Sequence, residues 1–455
     1  MTDQSAPPDG PPPLSDEQRV VRERGYARLL LLAAAAGIPV SLVAFGFLAL
    51  MHAMEHAVWN HLPEALGMEV APWWWALPWL ALGGLLVGTA IRWLPGHGGH
   101  VPLDGLAIGP VAASAVPGIL LAALGGLPLG AVLGPEAPLL ALGSAVALMV
   151  LRPLARTDDP TAIALITTAG AAAALSAIFG SPVVAAIFVV EAAGIAGPRL
   201  ARVILPCLLS SGVGALVFTG MGAWTGLGIA SLALPDLDAP VRLDLGDVLW
   251  SVPVSLVIAV GVRQTFRLGE QAKVRASRRP FEYAVLGALV VGVCASAYAL
   301  TTGRSPQEVA LSGQELLAPL AADPAAWSVP VLIALILLKA VAYGVSLGTL
   351  RGGAIFPAVL LGAATGALFS GLPGFGAVPA LAVGMAAATA AVLPFPVSSA
   401  VLVVVLLGPS APQMAPVVLI AVVVSFFAEQ YILRPRREAR SAGSATSASS
   451  AASGA

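Results

Sequence analysis

Charge is what this sequence lacks most. Only 10% of its 455 residues are charged while 58% are hydrophobic, and the mean hydropathy is +0.90. A soluble domain carries roughly 25% charged residues, so these proportions exclude a soluble globular chain and indicate an integral membrane protein. Residues 352–428 contain no Asp, Glu, Lys or Arg. About 20 apolar residues suffice to span a bilayer, so that stretch alone can cross or re-enter several times. A net charge of −1 leaves no basic face for nucleic acid. Cysteine is scarce too: Cys207 and Cys294 both lie in apolar runs, which reads as two buried free thiols and not as a disulfide framework or a metal pair.

The few charges are placed unevenly. Residues 1–28 are polar and proline-rich and end in Arg19, Arg22, Arg24 and Arg28 just before the first apolar run. A tail of this length reads as a disordered cytosolic extension and not as a cleaved signal. Arg434, Arg436, Arg437 and Arg440 follow the last apolar run, and a Ser/Ala/Gly tail over 435–455 reads as disordered. Both termini are expected on the cytoplasmic side of an inner membrane by the positive-inside rule. Arg263, Arg267, Lys273, Arg275, Arg278 and Arg279 are expected to mark a further cytosolic loop. No stretch is left over for a folded regulatory domain.

Between the tails, residues 29–434 read as one transmembrane domain of two sets of seven apolar segments. Segments near 27–51, 106–124, 138–151 and 182–193 belong to the first set, and segments near 248–262, 357–368 and 415–433 to the second. Several are too short to cross about 30 Å unaided, which predicts short, tilted or re-entrant helices covered by protein. The sets align with each other. Gly170-Ala171-Ala172-Ala173-Ala174 followed by Pro182-Val183 matches Gly384-Met385-Ala386-Ala387-Ala388 followed by Pro396-Val397, with the same twelve-residue step from glycine to proline. Pro138 and Pro357 stand at nearly the same offset, so a repeat of roughly 215 residues is expected, with halves at about 29–222 and 246–434.

Glu136 lies in one of these apolar stretches, within Gly134-Pro135-Glu136-Ala137-Pro138. A carboxylate in hydrocarbon costs a few kcal/mol at least, so it belongs in protein or in a water-filled pathway. The surrounding glycines and prolines break one helix and start another, which leaves backbone N–H groups free to face an anion. The same grammar returns at Arg351-Gly352-Gly353-Ala354-Ile355-Phe356-Pro357. Broken helices at matching places of two half-chains point to a transport site at mid-membrane depth.

Several segments, standing in order, carry a family resemblance. Gly98-Gly99-His100-Val101-Pro102, Gly134-Pro135-Glu136-Ala137-Pro138 and Gly353-Ala354-Ile355-Phe356-Pro357 resemble the three signatures of the CLC family of chloride channels and proton-coupled chloride exchangers. The Gly170 to Glu191 segment and the Lys339 to Gly348 segment resemble the flanking helices. The resemblance covers about 27–431. It implies an all-α polytopic fold of two inverted repeats, a pore in each subunit, and a homodimer. It also implies that the anion is held by backbone N–H groups at Ile355 and Phe356 and at the start of the helix at Glu136, with Gly99, His100, Gly134, Ala137 and Gly353 lining the site. Helix N-termini carry about half a positive charge and suit that role. Glu136 is then the gate, because its carboxylate and the anion compete for the same donors.

The departures from the family pattern matter as much. Gly99 stands where the usual serine would offer a hydroxyl, with His100 beside it. Pro135 removes an amide donor from the outer anion position, and Ala137 replaces a glycine. The family tyrosine of the inner side is expected near Arg436 or Arg437, where there is none, and Tyr431 comes several residues early. Glu191 aligns with the first of two adjacent glutamates of proton-coupled members and is the candidate proton-path residue, but the second, the inner acceptor, is Ala192. Lys339, a lone intramembrane cation, is expected to snorkel or pair with a carboxylate. The expected function is transport of chloride or a similar anion, passive or weakly proton-coupled. The alternative is a proton-coupled exchanger of chloride or fluoride, since fluoride-exporting relatives also lack the serine and tyrosine.

All five histidines lie between His52 and His100, and His52-Ala53-Met54-Glu55-His56 fits the pattern of inverted zinc peptidases. A membrane metalloenzyme with Glu64 or Glu69 as third ligand is the rival class, although Trp59 and His61 suit an interfacial belt as well. The expectation is nevertheless a protein that is no enzyme and carries no cofactor or metal.

Overall fold

The computed structural model describes residues 25–106, 108–155, 159–194, 198–227, 234 and 243–433. Residues 1–24 and 434–455, with Arg436 and Arg437, lie outside them, whereas the last residues of the expected N-terminal tail, Tyr26, Ala27 and Arg28, already belong to the first helix because no breaker separates them from the apolar run. The described chain is helical: α1 (Tyr26–His56), α2 (Ala76–Trp93), α3 (Val116–Gly126), α4 (Glu136–Ala155), α5 (Pro160–Phe179), α6 (Pro182–Ala192) and α7 (Pro198–Thr225) form its first half. α8 (Leu245–Ala276), α9 (Pro280–Thr302), α10 (Gln314–Ala322), α11 (Val329–Thr349), α12 (Ile355–Phe369), α13 (Ala377–Val392), α14 (Pro396–Leu406) and α15 (Ala411–Phe427) form the second. Nine helical segments among the described residues are long and apolar enough to cross a bilayer, and five more are apolar but shorter. The short ones include α6, α12, α13 and α14, as the segment lengths predict.

Prolines start many of these helices because their missing N–H falls where no intrahelical bond is made. Pro160, Pro182, Pro280 and Pro396 all open a first turn. The Asp159 carboxylate accepts from the N–H of Thr161 and of Ala162 at 3.3 and 3.1 Å, and the Ser181 hydroxyl accepts from Val184, so α5 and α6 are capped by the residue just before them. The interior belongs to α5 and α13, which are buried along most of their length. Their alanine and glycine runs let neighbours approach closely, the usual packing device where lipid offers no hydrophobic driving force. Gly143 of α4 meets Gly170 of α5, and Gly362 of α12 meets Gly384 of α13; a Cβ on any of the four would strike its partner's carbonyl. The matching positions Gly143 and Gly362, like Glu136 and Ile355, are 219 residues apart (143 to 362, 136 to 355). The two halves therefore repeat one packing motif.

Several sequence expectations shift here. The segment expected over 106–124 is helical as α3 only from Val116, because Gly105, Gly109 and Pro110 break the chain before it. The segment expected over 248–262 continues as α8 to Ala276, and Arg263, Arg267, Lys273 and Arg275 ride on that helix and not on a loop. No proline intervenes before Pro280, and Gln264, Leu268, Gln271 and Ala272 are good helix formers that outweigh the single Gly269. The first span runs on through a π turn, Ala57–His61, into Leu62–Ala65. Trp59 within it is buried and donates to the Pro128 carbonyl at 3.0 Å, so it packs inside the protein and not in an interfacial belt.

Candidate anion site

Two helix N-termini meet at the centre of the molecule. Gly134, just before α4, donates its N–H to the carbonyl of Gly353 at 2.8 Å, and Gly353, just before α12, donates back to Gly134 at 2.6 Å. This reciprocal pair is the only β pairing among the described residues. Across it lies the Glu136 side chain. Its Oε1 accepts from the N–H of Ile355 at 3.1 Å and of Phe356 at 3.2 Å. Glu136 and Ile355 are fully buried, Phe356 nearly so, and Oε2 is buried without a hydrogen-bond partner.

The local sequence explains the geometry. The first N–H groups of a helix have no intrahelical acceptor, and those of α12 point toward the gap that Glu136 enters from the opposite helix. Glycine at 134 and 353 leaves room: a Cβ at either would collide with the Glu136 carboxyl group. The amides of these two glycines bond each other, so what they contribute is space. A carboxylate oxygen held by two backbone N–H groups at one helix start marks a position suited to a small anion.

Next to this slot is a cavity of about 640 Å³ bordered by His100, Ala137, Gly352, Ala354 and Phe395, with Arg263, Glu270 and Glu429 on its wall. A second, of about 240 Å³, shares His100, Ala137 and Gly352 and adds Gly99. Gly99 has φ +95°, a backbone that a serine would strain to adopt. The predicted residues thus divide. Glu136, Gly134, Gly353, Ile355 and Phe356 converge on one point, while Gly99, His100 and Ala137 border the adjoining space.

Glu191 stands elsewhere. Its Oε1 accepts from Val397 N–H at 3.2 Å, and its Oε2 accepts from Ser398 N–H at 2.7 Å and from the Ser398 hydroxyl at 2.6 Å. It caps α14, whose own preceding residue, Phe395, has no side-chain oxygen to do so. Tyr431, 71% exposed, stacks on Phe427 and faces outward.

Two participants were not foreseen. Tyr343 of α11 is fully buried, donates its hydroxyl to the Ala354 carbonyl at 2.6 Å, and lies within electrostatic reach of Glu136. A tyrosine in an apolar helix, four residues after Lys339, was the available signal. Aromatic rings also run in a chain, Phe356 to Phe179 to Phe188 to Phe395, with centroids 6.3, 5.7 and 5.7 Å apart, joining the slot to the cavity wall. Lys339 departs from expectation: it neither snorkels nor bonds a carboxylate. Its buried ammonium donates to the carbonyls of Glu308, Val309, Ala310 and Leu311 at 3.0 to 3.2 Å. Leu311 in turn donates to Gly130, so this cradle buttresses the strand of chain leading to Gly134.

The histidines do not assemble. His52 bonds the Leu48 carbonyl of its own helix at 2.8 Å, His56 faces Glu315 at 3.6 Å, and Glu64 and Glu69 are exposed. Among the described residues no group of three or more His, Cys, Asp or Glu side chains is arranged to hold a metal.

Comparison with known proteins agrees with this geometry. The sequence pattern of the family described as "Voltage gated chloride channel" matches residues 100–430. YfeO of Escherichia coli O1:K1 / APEC, a protein named for ion transport, is 28% identical over 354 residues, covering 76% of this chain and 79% of YfeO. The fold is similar to that of a CLC-type fluoride/proton antiporter (17% identity, TM-score 0.67, covering 90% of this chain and 97% of that one). It is also similar to a slow cyanobacterial Cl⁻/H⁺ antiporter (17% identity, TM-score 0.70, covering 89% and 96%). With most of its length matched, the chain belongs to the voltage gated chloride channel family, CLC, and is a multi-pass membrane protein that transports anions and is not an enzyme.

Proposed function

We propose that each subunit conducts chloride or a similar small anion, fluoride included, through the slot between α4 and α12, with Glu136 as the gate. The observation that carries this reading is the seat of the Glu136 carboxylate on the amides of Ile355 and Phe356, the donors an anion needs. When ionised the carboxylate competes with the anion; when protonated it competes poorly and leaves. Transport is passive or weakly coupled to protons. Ala192 has no acceptor where coupled relatives carry one, and both oxygens of Glu191 are held by the start of α14. The protein is further read as a homodimer in the inner membrane with cytoplasmic termini, its transport domain spanning about 29–434.

A second reading, proton-coupled exchange, draws support from one observation, a buried carboxylate, Glu429, on the cavity wall. One experiment separates the two. A chloride or fluoride gradient is imposed across proteoliposomes with the voltage clamped by valinomycin and potassium. Dissipation of the anion gradient without uphill proton movement is expected; sustained uphill proton movement overturns the passive reading.

A further inference from the structure

The expected inner tyrosine is missing, yet the cavity beside the slot is not bare. Two helices deliver opposite charges to its wall. α8 runs past its apolar half and presents Arg263, and the end of α15 winds into a π turn, Ala428–Leu433, that turns Glu429 inward. π turns interrupt regular helices and recur at functional positions. Glu429 is 6% exposed, whereas Tyr431 two residues later is 71% exposed, so the turn selects which side chain faces the cavity.

Arg263 Nη1 lies 3.2 Å from Glu270 Oε1 and 3.7 Å from Glu429 Oε1, and the Arg263 and Glu429 side chains are only 12% and 8% exposed. The nearer contact is a hydrogen bond; the farther is longer than the 2.7 to 2.9 Å typical of a charge-assisted one. Arg263 Nε is buried with no hydrogen-bond partner. A guanidinium offers five donors in a fixed fork; this one is held loosely by Glu429 on the wall of the cavity that also touches Ala137, Gly352 and Ala354 of the slot. Asp104, which also borders the cavity, is held in an ion pair by Lys273. Glu429 and an anion compete for the same guanidinium donors, so an anion gains a place at Arg263 only as Glu429 gives one up.

We infer that Arg263 is a second anion site, in the cavity adjoining the slot, and that Glu429 is the carboxylate that occupies it between anions. The inference rests on the anion-pathway reading above. It gives the chain two successive exchanges of carboxylate for anion, at backbone amides with Glu136 and at a guanidinium with Glu429.

The test measures efflux of chloride and fluoride from proteoliposomes as a function of anion concentration, for wild type, Arg263→Gln, Arg263→Lys, Glu429→Gln and the Arg263→Gln/Glu429→Gln double variant, each checked as monodisperse in detergent. Arg263→Gln is expected to raise the half-saturating anion concentration about tenfold, the scale of one hydrogen bond to a charged group. Arg263→Lys should fall between it and wild type, and Glu429→Gln should lower that concentration several-fold. In the double variant, with its pair of neutral amides, removal of Glu429 should bring no gain. Wild-type flux with half-saturation unchanged in Arg263→Lys and Glu429→Gln overturns the second site and leaves the Glu136 gate standing. Absence of wild-type flux for either anion overturns both.

Discussion

Glu136 and Phe356 belong to opposite halves of the chain, yet the carboxylate of one accepts the backbone N–H of the other at 3.2 Å. The acceptor is titratable and the donor is not. A small anion that displaces the carboxylate inherits fixed, preoriented N–H groups, which bind without the strong hold of a lysine.

Glu136→Gln should therefore flatten the pH dependence of flux. In the wild type, acid should protonate the carboxylate and weaken it as a competitor, so flux is expected to rise as pH falls. The glutamine variant, neutral at every pH, should show one rate across the range. An unchanged acid stimulation in vesicle efflux would remove Glu136 from the gate.

The donors at 355 and 356 act through the backbone, so side-chain changes there should matter unequally. Ile355→Val keeps the N–H and should leave chloride affinity within about twofold. Phe356→Pro deletes one N–H, and affinity should fall about tenfold or more, the scale of one charged hydrogen bond. Phe356→Leu is the control for the lost ring contact with Phe179. Isothermal calorimetry giving Phe356→Pro the affinity of Phe356→Leu would place the anion elsewhere.

Gly353→Ala should mimic loss of the gate while Glu136 itself remains. A methyl at 353 would stand 2.5 Å from the carboxyl carbon, and the backbone there is not left-handed, so the cost falls on the side chain of Glu136. Expulsion of the carboxylate predicts flux with little pH dependence in a protein that still folds. Retention of the wild-type pH profile would show that the carboxyl group has other room.

Glu191→Ala should cost about 1 kcal/mol of stability, as other lost helix caps do, read as a lower midpoint of thermal unfolding in detergent. Ser398→Ala, which removes only one of the three bonds, should cost less. Under the passive reading Glu191→Gln leaves proton movement unchanged, and a change in proton movement would restore Glu191 to a proton route.

Much of the site was legible because its signals are local. A glycine, a proline and a glutamate in an apolar run announce a helix start, and the equal spacing of two such starts announces a repeat. What escaped reading depends on partners far along the chain. Lys339 looked like a charge in need of a carboxylate; its four carbonyl acceptors lie about 30 residues earlier in an unremarkable loop. The length of α8 was missed because a basic run after an apolar one reads as a loop, although every residue in it tolerates a helix. Glu429 resembled any polar residue closing a span. Only the π turn, and an arginine from another helix, make it a cavity residue.

The reciprocal bonds between Gly134 and Gly353 also bear on the mechanics of transport. They act as a stitch holding the two halves together beside the anion slot, and in a dry interior each such bond is costly to leave unmade. A cycle that pried the halves apart to alternate access would have to tear that stitch at every turnover. A cycle in which one side chain rotates out of the slot would leave it whole, so on the proposed gating the frame stays rigid like that of a latch and the moving part is one glutamate side chain.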